Sequence, residues 1–302
     1  MSIDLSQLTQ PDAIELTDFE TELAAVVALI VAEFPEAQRD AVAAALALDS
    51  EPMAALAQAY AYRSIHYAQR INEAVRGVML ASAGGNDLDQ VAAWLDTERG
   101  VTTPATENEE PIYESDDKLR GRALLSWSRL STTGPGNAYR YFALSADPDV
   151  LDARAYGPET HGQPGHIFLY VLSRTGDGTA SQALLDTVAA AVNDDEVRPL
   201  TDYVSVRSAE IINYDVVADI HIPYGLDGDI VIANALEALT AYTDSVHLIG
   251  STAARSGIDG ALHQPGVITV DRAAPAADVV AAMGQAPKCA AVTLNRVVIG
   301  GE

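Results

Sequence analysis

The chain has 302 residues, of which 48% are apolar and 20% are charged, a composition typical of a folded protein with a substantial buried core. It carries 43 acidic and 18 basic side chains, so its formal net charge is −25. Most of its surface therefore repels phosphate backbones and anionic membranes, and we expect neither nucleic acid nor a membrane as a partner.

The N-terminal stretch MSIDLSQLTQPD has neither a basic segment nor an apolar one, so we expect no signal peptide. No apolar run reaches the ~20 residues that cross a bilayer. A single cysteine, Cys289, excludes an intrachain disulfide framework, and its apolar surroundings favour a buried structural thiol. These features predict a protein that is made in the cytoplasm and stays soluble.

The first part of the chain, residues 1–100, is predicted to be a helical N-terminal region. Residues 17–34 begin at a Thr or Asp cap and stop before a proline, and residues 35–48 begin with proline in a first helical turn. The longest predicted helix starts near Pro52 and continues without a breaker to about Ala83.

Large apolar residues recur along this long helix at spacings of three, four or seven, which places them in one stripe. The residues proposed as an interface are Leu56, Tyr60, Tyr67, Ile71, Val75 and Val78. A helix of about 30 residues is about 45 Å long, more than a compact domain needs. The stripe therefore indicates a bundle shared with other chains, and the alternative is a core helix within its own domain.

A glycine pair interrupts the helical pattern in ASAGGNDLDQVAAWL, residues 81–95. We predict a helix elbow made of Gly84, Gly85, Asn86 and Asp87. One glycine would take the left-handed conformation that ends the long helix, and Asn86 or Asp87 would cap the next helix. A phosphate cradle is disfavoured, because no strand precedes the glycines and two aspartates follow them.

The composition changes after this helix. Residues 96–115 mix Thr, Pro, Gly and acids without a hydrophobic period, which predicts a linker or an extended surface crossing. Helices are predicted at 115–130 and, after a Gly-Pro-Gly turn, within 131–145. We group residues 101–150 as a linker and helical middle region.

From about residue 150 strands alternate with helices, and residues 151–302 predict a C-terminal α+β region for subunit contacts. Strands are predicted at 167–173, 203–209, 211–222, 267–271 and about 290–298, and helices at 181–193, 229–242 and 251–264. In the third of these strands, apolar side chains alternate with polar ones, with Ile212, Tyr214, Val216, Ala218, Ile220 and Ile222 on one face. The fold class is therefore α+β, with a long helix in the N-terminal region and small mixed sheets in the C-terminal modules.

No catalytic, cofactor or metal site is predicted. The six histidines form no His-Glu-x-x-His pattern, and the loop shared by His161 and His166 contains the proline and glycine of a turn. TGDGT (175–179) and GLDGD (225–229) lack the alternating ligands and the final Glu of an EF-hand. No phosphate loop, dinucleotide fingerprint or nucleophile elbow is present. We expect a protein that is not an enzyme, with a soluble acidic hydrolase as the alternative, because carboxylate pairs leave no trace in one sequence.

Several stretches match one family in their order and spacing. They are MSIDLSQLTQPDAIELTDFE, LDSEPMAALAQAYAYR, QRINEAVRGVMLASAGGNDLDQVAA, YESDDKLRGRALLSWSRLSTTGPGNAYRYFALSADPDVLDARAY and VLSRTGDGTASQALLDTVAAAVNDDEVRPLTDYVSVRSAEIINYDV. Together they resemble the baseplate J-like wedge proteins of contractile-tailed bacteriophages and phage-tail-like bacteriocins. The resemblance covers nearly the whole chain and becomes weaker after about residue 225.

The resemblance implies a structural subunit of the baseplate wedge, needed for baseplate assembly and rearranging when the sheath contracts. It implies that the chain pairs with itself within a wedge and shares a helical bundle with a second wedge protein. It also implies contacts with a lysozyme-like baseplate protein and with the central hub and spike. The expected location is the virion tail baseplate, assembled in the host bacterial cytoplasm. A tailocin or another contractile injection system is the alternative, and no catalytic residue or cofactor is implied.

Overall fold

The structure, a computed structural model, describes residues 5–48, 50–103, 105, 109–131, 135–195 and 197–300. The chain divides into two compact units, residues 1–98 and residues 99–302. The first unit is helical. Its elements are a 3₁₀ turn (Leu5–Gln7) and the helices α1 (Phe19–Ala32), α2 (Glu36–Leu46), α3 (Pro52–Gly77) and α4 (Gly85–Trp94).

The ends of the first two helices follow from local chemistry. The carboxylate of Asp18 accepts a hydrogen bond from the backbone N–H of Thr21 at 2.9 Å and caps α1. Pro35 precedes α2 as its N-cap residue. The helices predicted at 17–34 and 35–48 are confirmed, with slightly shorter bounds.

The long helix α3 has 26 residues and ends at Gly77, so the prediction that it continues to about Ala83 is wrong. Glycine favours a helix end because it loses more backbone entropy than other residues in a helix. The hydroxyl of Ser82 then donates to the backbone carbonyl of Arg76 at 2.7 Å, and the chain turns there. Hydrophobic periodicity continues past this point, which is why the sequence did not reveal the end.

The second unit is α+β. In chain order its elements are β1 (Val101–Thr103), β2 (Ile112–Tyr113), α5 (Asp116–Arg129), α6 (Gly136–Ala146), β3 (Val150–Tyr156), α7 (Pro158–His161), β4 (His166–Ser173), α8 (Gln182–Val192), β5 (Tyr203–Ser208), β6 (Glu210–Pro223), α9 (Gly228–Val246), β7 (Thr252–Ala253), α10 (Arg255–Leu262), β8 (Thr269–Ala274), β9 (Val279–Val280) and β10 (Gln285–Ile299).

One sheet of this unit has the strand order β3-β4-β5. Strand β4 pairs antiparallel with β3 and parallel with β5, and α8 makes the crossover between the two parallel strands. The side chains of Leu184, Val188 and Val192 lie one helical turn apart on α8, and all three are buried in a core that also contains Leu169 and Val171 of β4.

A second sheet has the strand order β10-β6-β8, with β6 parallel to β10 and antiparallel to β8. Val216, Ala218, Ile220 and Ile222 of β6 are buried in one core with residues of α9 and α10. The alternation predicted for residues 211–222 is confirmed, and so is the prediction of an α+β fold with small mixed sheets. Among the helices of the described residues, none combines the length and apolar character that a bilayer crossing requires.

The structure of the second unit refines, corrects or adds to the sequence predictions at three places. Residues 96–115 were expected to be a linker or an extended surface crossing. Two extended strands lie there, since β1 and β2 form an antiparallel ribbon, and Gly100 N donates to the Glu114 carboxylate at 2.8 Å. The helix predicted at 251–264 is shorter, because β7 occupies its start. Strand β3 was not predicted. The Gly-Pro-Gly turn begins at Gly134, which lies outside the described residues.

Candidate protein-interaction surface

The predicted stripe of α3 lies on the surface of the first unit. We call Leu56, Tyr60, Tyr67, Ile71, Val75 and Val78 the α3 stripe. The last of these, Val78, is the C-cap residue that directly follows the helix. Five of these side chains are 45–73% exposed, and Val75 is half-buried. Large apolar side chains grouped on one helix face at such exposure are typical of a surface that another chain covers.

A different face of α3 packs within the first unit. It carries Ala57 and Ala61, which are buried together with Val26 of α1. Alanine side chains let two helices approach closely, so this face builds the contact with α1 while the larger side chains stay outside. The alternative that the stripe forms the core of its own domain does not agree with this packing.

One polar contact orders part of the stripe. The guanidinium of Arg63 lies 5.2 Å from the ring centre of Tyr67, and its Nε donates to the Tyr67 hydroxyl at 2.9 Å. This pair sits one helical turn apart, at the edge of the apolar residues. It limits the positions of the Tyr67 ring and adds a charge beside the stripe.

Sequence reasoning missed the way the N-terminal segment is fixed to α3. Asn72 is only 2% exposed, and its side-chain amide exchanges two hydrogen bonds with the backbone of Ile14, at 2.9 and 2.8 Å. Arg76 makes a further ion pair with Asp12. A lone asparagine between apolar positions of a helix was the available signal, since a buried amide needs partners.

The elbow residues lie at the start of α4. Gly84 is its N-cap residue, with an extended backbone and no side-chain capping hydrogen bond. The prediction that Asn86 or Asp87 caps this helix is therefore wrong, because both lie in its first turn. Gly85 has a φ of +54°, which glycine adopts without strain, but α3 has already ended at Gly77.

Several titratable side chains of the described residues lie in ordinary packing contacts. In the part of the chain that the structure describes, no three His, Cys, Asp or Glu side chains converge as metal ligands would. His161 instead stacks on Phe168 with ring centres 4.0 Å apart, and His166 packs edge-on against Tyr203. Cys289 is half-buried, and burial raises the pKa of its thiol, which makes it a poor nucleophile.

Comparisons with known proteins agree on one family. A model of the Baseplate J-like N-terminal domain matches residues 49–106, which include the α3 stripe, and a model of the Baseplate J-like central domain matches residues 131–208. Over 304 aligned residues the chain is 41% identical to the baseplate protein J of Escherichia phage P2, covering 99% of this chain and 98% of that relative.

Proposed function

The chain belongs to the baseplate J-like family, and we propose that it acts by association, as a structural subunit of the baseplate wedge of a contractile phage tail. The observation that carries this proposal is the 41% identity to a phage baseplate protein along nearly the whole of both chains. Because that relative comes from a phage, a tailocin is not needed to explain the chain. We assign it no catalytic role.

Within this function, we propose the α3 stripe as the surface that joins a helical bundle with a second wedge protein. Support comes from the exposure of its large apolar side chains and from the alanine face that already serves the first unit. An obligate interface is large and apolar at its centre. Tyr and Arg are also enriched among the few residues that contribute most of the binding free energy.

The other partners are proposed from the family resemblance. They are a second copy of the chain within the wedge, a lysozyme-like baseplate protein, and the central hub and spike. We further propose that the α+β region makes the contacts within or between wedges and that some contacts change when the sheath contracts.

The test replaces Ile71 and Val75 with aspartate in tails assembled from otherwise native components. Two carboxylates within an apolar interface lose their hydration without gaining partners, so we expect no incorporation of the double variant. Incorporation is measured by the amount of the chain in purified tails, and function by sheath contraction.

A matched control replaces His66 and Gln69 with aspartate. Both residues are exposed on α3 outside the stripe, and the change in charge is the same. A second stripe variant combines Leu56→Asp and Tyr60→Asp. We expect it to fold, since both side chains are at least 60% exposed in the isolated chain. Normal assembly and contraction with the two stripe variants would show that the stripe is not an interface.

A further inference from the structure

A cleft lies in the second unit, between the start of α6, strand β3 and the loop after α9. Its volume is about 470 Å³, and its lining includes Asn137, Arg140, Asp152, Arg154 and the loop residues 248–251. Among the described residues, two guanidinium groups and one carboxylate therefore line it, in a chain whose formal net charge is −25.

The one carboxylate in the lining is already satisfied. Oδ1 of Asp152 accepts hydrogen bonds from Nε and Nη2 of Arg140, at 3.1 and 2.9 Å. Its Oδ2 accepts one from the backbone N–H of Ile249 at 3.1 Å. Asp152 therefore neutralises Arg140, both of its oxygens already accept hydrogen bonds, and its side chain is only 6% exposed.

Arg154 supplies the unbalanced charge of the cleft. Among the described residues it takes part in no ion pair, and its one hydrogen bond runs from Nη1 to the backbone carbonyl of Ile249 at 3.0 Å. Its guanidinium lies 5.6 Å from the ring centre of Tyr156. A side chain at Gly250 would come within 2.6 Å of Nη1, so glycine there permits this position. The guanidinium is held in place, while its Nε and Nη2 groups have no acceptor among the residues that the structure describes.

We propose that this cleft binds a carboxylate of an acidic side chain on a neighbouring chain of the assembly. Guanidinium groups form short, forked hydrogen bonds with carboxylates. Two guanidiniums and one carboxylate leave one positive charge, which balances a carboxylate, whereas a phosphate dianion would remain partly unbalanced beside so acidic a chain.

The source of the carboxylate follows from the lining. Leu248 and Ile249 are its large apolar residues, so a free small molecule gains little from burial there. An acidic residue on a chain held nearby by other contacts needs only weak intrinsic affinity, because its effective concentration is high. The inference rests on the proposed function only in placing that residue on a neighbouring subunit.

The test measures binding of a fluorescent acetyl-tetraglutamate peptide to the full chain at low ionic strength, by fluorescence anisotropy. We expect saturable binding that Arg154→Gln weakens about tenfold, as for the loss of one hydrogen bond to a charged group. Arg255→Gln is the matched control. Arg255 is also exposed and also donates to one backbone carbonyl, that of Ala276 at 2.9 Å, so its replacement should leave the peptide affinity unchanged.

A second variant, Asn137→Asp, keeps the test valid if Arg154→Gln does not fold. Asn137 is exposed in the first turn of α6, where a negative charge stabilises a helix, so the variant should fold and yet weaken binding by repulsion. Unchanged affinity in the folded variants, or equal binding of a tetraglutamine peptide, would overturn the proposal. Stronger competition by inorganic phosphate than by acetate would overturn the choice of a carboxylate. The binding assay needs no tails, so its failure leaves the incorporation test of the α3 stripe unaffected.

Discussion

Helices α3 and α8 carry comparable apolar stripes and use them in opposite ways. In α8 of the second unit, Leu184, Val188 and Val192 are buried against a sheet. In α3 of the first unit, Leu56 and Tyr60 are exposed. An amphipathic pattern therefore identifies the apolar face of a helix, and it does not show whether that face packs against the same chain or another one.

The difference arises from what the two helices pack against. A sheet offers a broad apolar surface, so α8 gains most by burying its largest side chains there. Helix α3 meets α1 through a narrow face of alanines, Ala57 and Ala61, and its larger stripe points elsewhere. We therefore expect the first unit to depend on association for part of its stability.

The largest expected difference in the free energy of unfolding is between two leucine-to-alanine variants, one on α9 and one on α3. Leu239 of α9 is fully buried, so Leu239→Ala should lower the free energy of unfolding of its unit by about 2–5 kcal/mol. Leu56→Ala should change that of the isolated chain by less than about 0.5 kcal/mol, since Leu56 is 70% exposed. Chemical denaturation of both variants measures this. Equal losses would mean that the α3 stripe is packed within the chain.

A smaller effect should come from Asn72, which fixes the N-terminal segment within the first unit. Asn72→Ala removes both hydrogen bonds to the Ile14 backbone and should cost about 1–3 kcal/mol. The segment around Ile14 should then be cleaved faster by a protease. Asn86→Ala, at an exposed site in α4, is the control. Cleavage at the native rate in Asn72→Ala would show that other contacts hold the segment.

The smallest effect concerns the cap of α1 and its dependence on pH. Hydrogen bonds from the backbone N–H and then the hydroxyl of Thr21 lower the pKa of the Asp18 carboxyl. A lowered folded-state pKa means that the contribution of the cap is present above the unfolded pKa and is lost as the pH falls through the folded one. Hydrogen-exchange protection of α1 should therefore differ between the native chain and Asp18→Asn near neutral pH, and the difference should vanish only as the pH falls below the lowered folded-state pKa of Asp18. A difference that persists at low pH would exclude the carboxylate as its cause.

The sequence predicted those elements whose signals are local. The cap at Asp18 and the proline before α2 bounded two helices, and alternation identified the buried face of β6. The predicted end of α3 was wrong, because the local apolar pattern and the contacts of the folded chain place that end differently. The apolar period continues past Gly77, although a side-chain hydrogen bond from Ser82 closes the turn there.

The sequence indicated the α3 stripe, and no sequence pattern indicated the cleft of the second unit. The residues of the stripe recur within one helix, so their spacing revealed them, and their role as an interface stays a prediction. The cleft brings Arg140, Arg154 and Ile249 together from distant parts of the chain. Neither charge pattern nor motif spacing connects those residues.

The helical and strand periods, the net acidic charge and the family are readable from the sequence, because caps, turns and alternation involve residues a few positions apart and identity is counted along the whole chain. The covered face of α3, the end of that helix and the pairing of β6 with β10 became known from the folded structure. These features depend on contacts between side chains that are far apart in sequence, and such contacts contribute free energy only in the folded chain.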